Sequence, residues 1–457
     1  MSEKLYDFLE KTVGKDLWTK DLIDLVSYSS DASLNKNRPE AGVWPETAEQ
    51  VAAILAFCNR EKIPVTPRGA GTGLTGLAVP VQGGLVMDLG RMDKILKVSL
   101  DDRLAVVQPG VVYAALEEAL DPYGFFFPPD PASGKVATLG GNVATNAGGM
   151  KGAKYGTTKD YVLGLQVALP DGRLMRTGSN TMKTSSGYNL TQLFVGCEGT
   201  LGVVTEITLK INPRPTANST ALATFDKMEQ AGRAVTDIMK SGIIPSVLEI
   251  IDNATLVAIN QNSDMGLPEV GGMLLVETDG YTQGETEYQL EKVIDLFKKN
   301  GALEVRKAAS DEEAQSLWLA RKSSYAVISR ISNALLVEDM AVPMSQVAYM
   351  LAYLDDLAAR HKVRIATVGH AGDGNLHPTI CFDGTDEEEV KRVHAASKEL
   401  FKKVVEVGGT LTGEHGIGMD KAPYMSLEHD QAAMETMRGL KKFFDPNNIL
   451  NPDKMSV

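Results

Sequence analysis

Apolar residues fall into short runs through the first half of the chain. Residues 63–66, 84–89, 105–107, 164–169 and 203–211 each read as a strand bounded by glycine, proline or polar turns. Pro213 and Pro215, in INPRPTANS, punctuate a boundary after the last of these. Beyond it the period changes. Residues 225–241 and 283–300 carry helical spacing, whereas 272–277 and 334–337 read as strands. This alternation predicts an α+β domain of two helices against an antiparallel sheet. A last helix is expected over 430–444, ahead of the turn-rich FDPNNILNPDK.

A chain of 457 residues is too long for one hydrophobic core, so two or three packed domains are expected. The formal charge of -13 argues against nucleic acid or an anionic membrane as the main partner. An anionic substrate then needs positive charge gathered locally, from a metal ion, an arginine or oriented backbone N–H groups. Cys58, Cys197 and Cys381 lie far apart, which fits a reducing compartment and excludes an iron–sulfur cluster housed within these residues. Residues 1–18 lack the apolar core of a signal peptide, and no apolar run approaches a membrane span. A cytoplasmic protein is the expectation.

Three glycine-rich stretches carry candidate chemistry. The first, IPVTPRGAGTGLTG, follows an apolar strand, and its glycines let backbone N–H groups approach a ligand. Within it, Gly71 to Gly76 matches the dinucleotide pattern G-x-G-x-x-G, which needs a helix directly afterwards. The residues that follow, LAVPVQGGLVMDL, contain Pro80 and Gly83-Gly84 and cannot supply one. The second stretch, PPDPASGKVATLGGNVATNAGG, offers small residues, hydroxyls and amides around a flat ligand. The third, VGCEGTLGVVTEITL, runs from a glycine turn into a β-branched strand.

In order and wording these stretches resemble the flavoproteins of the vanillyl-alcohol-oxidase type, specifically the D-lactate dehydrogenase and glycolate oxidase flavoprotein subunit family. The resemblance covers essentially the whole chain. It implies an α+β fold with a two-subdomain FAD-binding domain and an α+β cap domain with an antiparallel sheet. The implied division is an N-terminal helical segment over 1–36, an FAD-binding domain over 37–215, a substrate or cap domain over 216–410, and a C-terminal segment over 411–457 that returns to the flavin. By the same resemblance, Arg68, Gly69, Ala70, Gly71, Thr72 and Gly73 meet the FAD pyrophosphate. Pro129, Asp130, Thr138, Gly141, Asn142, Thr145, Asn146, Gly148 and Gly149 line the cofactor. Glu198, Gly199, Gly202 and Val203 meet its adenosine end, and Asn451 returns to the flavin. All six histidines lie beyond residue 360, away from the flavin-binding half, so the FAD is expected to be non-covalent.

TVGHAGDGNLHPTI places His370 and His377 around a Gly-Asp-Gly turn, and two strands joined by such a turn bring both imidazoles together. LTGEHGIGMDK sets Glu414 beside His415 between glycines. Two histidines and a carboxylate suit a zinc or ferrous ion that keeps positions open for substrate. In relatives of the resembled family, residues matching His370, His377 and Glu414 bind the metal, and the one matching His415 is the base. The residue matching Arg321 grips the substrate carboxylate. His361, His394 and His429 read as surface or hydrogen-bonded residues.

The implied activity is oxidation of D-lactate or a similar small D-2-hydroxy acid, with electrons passed to an electron-transferring flavoprotein or an iron–sulfur subunit. Relatives acting on D-2-hydroxyglutarate carry a threonine four residues after the arginine and a lysine about sixteen after it; here stand Tyr325, Val337 and Glu338. Glycolate oxidase with iron–sulfur subunits, D-2-hydroxyglutarate dehydrogenase, a metal-free alcohol oxidase and a non-enzymatic flavin-binding subunit remain as alternatives.

Overall fold

The computed structural model describes residues 3–263 and 266–457. The chain divides into two compact units: residues 1–148, 157–214 and 414–457 form one, and residues 149–156 and 215–413 the other.

The first unit contains two larger sheets, besides a two-stranded pairing of Phe125–Phe126 with Asn212–Pro213. In one, the strand order is Trp18–Thr19, Ala41–Val43, Leu85–Asp88, Val65–Arg68, and the last two pairings are parallel. The helix Ala48–Glu61 makes the crossover. Thr47 and Gln50 close a capping box at its start, and Lys62 ends it in the left-handed region. It buries Val51, Ile54, Leu55 and Cys58 with Leu5 and Leu9 of the helix Glu3–Val13. The other sheet is antiparallel, ordered Ile95–Ser99, Leu104–Val107, Val203–Lys210, Val162–Ala168, Leu174–Gly178. After Arg68 the next regular element is the strand at Leu85, so the G-x-G-x-x-G segment opens no helix.

The second unit is built on one antiparallel sheet, ordered Glu304–Lys307, Ala217–Phe225, Gly272–Gly280, Val247–Asp252, Arg364–His370, Asn375–Phe382, Ala334–Val337, with Met340–Ala341 also on Asn375–Phe382. Alternation along each strand separates two cores. Leu248, Ile250, Leu274 and Val276 pack with the helices Met228–Lys240, Gln283–Lys299, Val347–His361 and Glu387–Glu406. Val247, Ile251, Met273 and Leu275 face the helices Asn253–Asn262 and Asp311–Ile328 through Leu256, Leu317 and Trp318.

The expected two-helix layer is therefore too thin. Two further helices complete the first face, and two more cover the second. The helix expected from residue 225 starts at Met228, because Phe225 closes a strand paired with Gly272. Among the described residues no helix is long and apolar enough to cross a membrane.

Candidate active site

In the first unit the glycine-rich stretches converge. The Arg68 guanidinium donates through Nη1 to the carbonyls of Ser30 at 3.0 Å and Ala78 at 3.3 Å, and lies over the Tyr28 ring. Its side chain thus holds the loop of Gly69 to Gly73 in shape. Gly69 sits against Thr138, where an added Cβ would stand 2.3 Å from the hydroxyl oxygen. Thr138 caps the helix Leu139–Thr145, accepting from the Gly141 N–H at 3.3 Å. Asn142 is buried on that helix, and its Nδ2 has no acceptor among the described residues. A buried amide left this way costs about 1–3 kcal/mol, which a ligand oxygen in the cradle would offset. Asn146 is committed locally: in the left-handed region at φ 53°, its Oδ1 accepts from the Thr157 hydroxyl and the Lys159 N–H.

The C-terminal residues close on the same loops. The Asn451 N–H donates to Val65 O at 2.8 Å, and its Nδ2 to the carbonyls of Leu77 and Glu198. Glu198 is buried at φ 54°, and its carboxylate accepts from the N–H groups of Ile417 at 2.6 Å and Gly418 at 2.9 Å. The chain just past His415 is therefore pinned. The Thr75 hydroxyl adds a 3.5 Å contact to the His415 carbonyl, and Gly148 leaves the space that Glu414 occupies, since a Cβ there would lie 2.7 Å from its Oε2.

Burial pushes the Glu198 carboxyl up to about 7, against the opposing pull of the two N–H groups. A folded-state value above the unfolded one means the folded protein holds this proton more tightly. Its stabilising contribution is complete below the unfolded value of about 4.5 and is lost as pH rises to about 7. Glu198→Gln, which stays neutral, should remove that slope. Relative to the variant, the parent is expected to lose up to about 2–3 kcal/mol of stability between pH 5 and pH 8, read by denaturant unfolding. Parallel pH profiles for the two proteins would contradict this reading of Glu198.

In the second unit the strands Arg364–His370 and Asn375–Phe382 form a hairpin across the turn at Gly372 to Gly374. Val368 pairs with His377 and His370 with Asn375, so both histidines share one face as diagonal neighbours. Their ring centroids are 5.0 Å apart, edge to face. Each ring is backed by a fully buried carboxylate. His370 Nδ1 is 2.6 Å from Glu249 Oε1, across the register pair Glu249–His370. His377 Nδ1 lies 3.6 Å from Asp339 Oδ1. The other oxygen of Asp339 accepts from the Thr412 hydroxyl at 2.5 Å and the Gly413 N–H at 2.9 Å. Glu414 is the next residue, one Cα step of about 3.8 Å along the chain.

Arg321, on the helix Asp311–Ile328, donates through Nε to Glu249 Oε2 at 2.6 Å. Burial raises the Glu249 carboxyl, but Arg321 and the two histidines outweigh it and hold it below its ordinary value. The sequence pointed to His370, His377 and Arg321 without their buried partners. Glu249 and Asp339 were missed, although each left a signal: SVLEIID sets one acid inside an apolar strand, and LLVEDMAVP two acids at a strand end. His361 bonds Glu399 at 2.7 Å, and His394 is exposed.

Known proteins resemble the chain along its whole length. Residues 39–178 match the FAD binding domain family, and residues 214–455 match the C-terminal domain of FAD linked oxidases. The glycolate oxidase subunit GlcD of Bacillus subtilis (strain 168) is 42% identical over 430 residues, covering 94% of this chain and 91% of its own. The D-lactate dehydrogenase of Anaerostipes hadrus is 35% identical, covering 100% of this chain and 97% of its own. Among solved structures, p-cresol methylhydroxylase superposes with a TM-score of 0.82 at 20% identity, covering 100% of this chain and 96% of that one, which establishes the shared fold. With FAD-binding and oxidase domains matched in order and two full-length relatives above 30% identity, the chain belongs to the FAD-linked oxidoreductase family that includes the GlcD subunits and D-lactate dehydrogenases.

Proposed function

We propose that the protein oxidises a small D-2-hydroxy acid, D-lactate foremost, to the 2-oxo acid. The observation that carries this reading is the pair of buried histidines, each set against a buried carboxylate, in a chain of this family. His370, His377 and Glu414 offer nitrogen and oxygen donors suited to Zn2+ or Fe2+. The donor chemistry fits such an ion: the His370 Nδ1 contact to Glu249 is the arrangement that directs the opposite nitrogen toward a metal, and His377 Nδ1 lies 3.6 Å from Asp339. A divalent ion bound there would act as a Lewis acid toward the substrate hydroxyl and lower its pKa. FAD, when bound, supplies N5 as the hydride acceptor and a ring system that holds the electron pair.

The chain's own residues do the rest. His415 takes the hydroxyl proton as a neutral base, with its backbone held by Thr75 and the N–H groups after it held by Glu198. Arg321 orients the substrate carboxylate. With Nε on Glu249 and Nη1 3.4 Å from Ser324, Nη2 is the nitrogen we assign to that contact. The unpartnered amide of Asn142 and the glycine-rich loops hold the flavin without a covalent link.

A small monocarboxylate suits these residues better than D-2-hydroxyglutarate. Glu338 stands near the position at which the D-2-hydroxyglutarate relatives carry their lysine, and it is buried with the Ser397 hydroxyl donating to it at 2.5 Å, so this position offers no cation for a second carboxylate. Glycolate is the second reading, favoured by the 42% identity to a glycolate oxidase subunit. Electrons then pass to an electron-transferring flavoprotein or to an iron–sulfur subunit, because the three cysteines are single and buried. Steady-state assays with a dye acceptor decide among substrates. kcat/KM is expected to be highest for D-lactate, lower for glycolate, and lower by about a hundredfold for L-lactate, which, held by the same carboxylate and hydroxyl contacts, would present its methyl group in place of the α-hydrogen. Preference for D-2-hydroxyglutarate would overturn the assignment.

A further inference from the structure

We infer that Glu249 is a positioning residue that fixes two working groups at once, the His370 ring for a divalent cation and the Arg321 guanidinium for the substrate carboxylate. The inference rests on the metal-assisted reading above and names the residue that organises it.

Glu249 lies on the strand Val247–Asp252 with no exposed surface, on the face opposite Leu248 and Ile250. An isolated carboxylate there would be strongly disfavoured, so its partners explain its presence. Oε1 is 2.6 Å from His370 Nδ1 and Oε2 is 2.6 Å from Arg321 Nε. One oxygen serves each partner. A neutral histidine that donates its Nδ1–H to a carboxylate presents the Nε2 lone pair, the state that binds a cation. A guanidinium held at Nε has its remaining edge aimed by the same group. A carboxylate has two equivalent acceptor oxygens, and no other side chain of that length does.

Glutamine is the discriminating substitution. Its single carbonyl oxygen accepts from Arg321 or from His370, while its NH2 can only donate. If the oxygen stays with Arg321, the amide donates to His370 Nδ1 and drives the proton to Nε2, which blocks metal ligation. If the oxygen turns to His370, an N–H meets the guanidinium and Arg321 is displaced.

The bland alternative is that Glu249 only neutralises a buried arginine. Arg321→Met separates the two. The experiment measures zinc affinity of FAD-loaded protein by competition with a chromogenic chelator, for the parent, Arg321→Met, Glu249→Gln and the double variant Arg321→Met with Glu249→Leu. Flavin content and the unfolding midpoint of each report on folding. We expect Glu249→Gln to bind zinc about 10–100-fold more weakly than the parent. Arg321→Met should stay within about threefold, since it leaves the Glu249–His370 contact in place. The double variant should be as weak as Glu249→Gln, because leucine offers His370 Nδ1 no acceptor. It also carries no buried ion pair, so it keeps the test open if Glu249→Gln alone does not fold.

Parent-level zinc affinity in the double variant would overturn the inference, as would a Glu249→Gln protein with both parent-level zinc affinity and an unchanged KM for D-lactate. A parent that binds no zinc, ferrous or manganous ion would instead overturn the metal-assisted reading itself.

Discussion

Replacing His377 with alanine is expected to abolish flavin reduction by D-lactate while leaving the flavin in place. His377 sits in the strand Asn375–Phe382, with its ring on the face shared with His370. Truncation removes one of three proposed donors to the cation, and two donors do not hold an ion that must also accept a chelating substrate. With the ion gone, the substrate hydroxyl keeps its ordinary pKa and His415 is too weak a base to take the proton at neutral pH. We expect the reduction rate to fall by about 10³-fold or more, equivalent to roughly 4 kcal/mol. The fold should survive, because Asp339 keeps the Thr412 hydroxyl and the Gly413 N–H. The check is rapid mixing with substrate under anaerobic conditions, alongside the flavin-to-protein ratio. A variant that retains flavin and is reduced at the parent rate would remove His377 from the chemistry.

The second large effect concerns cofactor retention. Gly71→Val is expected to yield colourless protein. Gly71 has φ 69°, which a β-branched residue rarely adopts, and an added Cβ would lie 2.2 Å from Arg68 Nη2 and 2.5 Å from its Cζ. A flexible arginine end often moves aside, but this one is held by Ser30 O, Ala78 O and the Tyr28 ring. Relief therefore means rebuilding the loop that we propose cradles the pyrophosphate. Gly124 provides the control. It has a similar φ of 66°, yet nothing lies within 4 Å of its added Cβ. Gly124→Ala should cost only about 1 kcal/mol of backbone strain and keep its flavin. Yellow Gly71→Val protein with an unchanged flavin affinity would mean that this loop does not shape the cofactor site.

The sequence and the structure agree unevenly, and the pattern has physical causes. The strands of the first half were legible because short β-branched runs between glycines have few other stable arrangements. The failure of the dinucleotide motif was legible for the same kind of reason, since Pro80 and Gly83-Gly84 deny it a helix. The histidine hairpin was legible because a Gly-Asp-Gly turn sets two flanking strands side by side.

What stayed hidden depends on contacts between distant residues. Glu249 and His370 are 121 positions apart and meet only because two strands pair in one register. Arg68 is expected by resemblance to meet the cofactor; its Nη1 also donates to two carbonyls, contacts that local sequence does not reveal. Glu198 is expected by resemblance to meet the adenosine end of FAD; that its carboxylate also holds the loop after His415 is a contact that local sequence does not reveal. The extra helices of the second unit were under-read for another reason. Val347–His361 and Glu387–Glu406 have clear apolar faces, but a sheet covered on both sides needs a helix count that periodicity alone does not give.

The most direct test of the central claim is anaerobic stopped-flow absorbance of the flavin on mixing with D-lactate, before chelation, after it, and after restoring zinc or ferrous ion. The account predicts bleaching of the oxidised-flavin band, its loss on metal removal and its return on restoration. Bleaching that is indifferent to complete metal removal would contradict the role given to His370, His377 and Glu414.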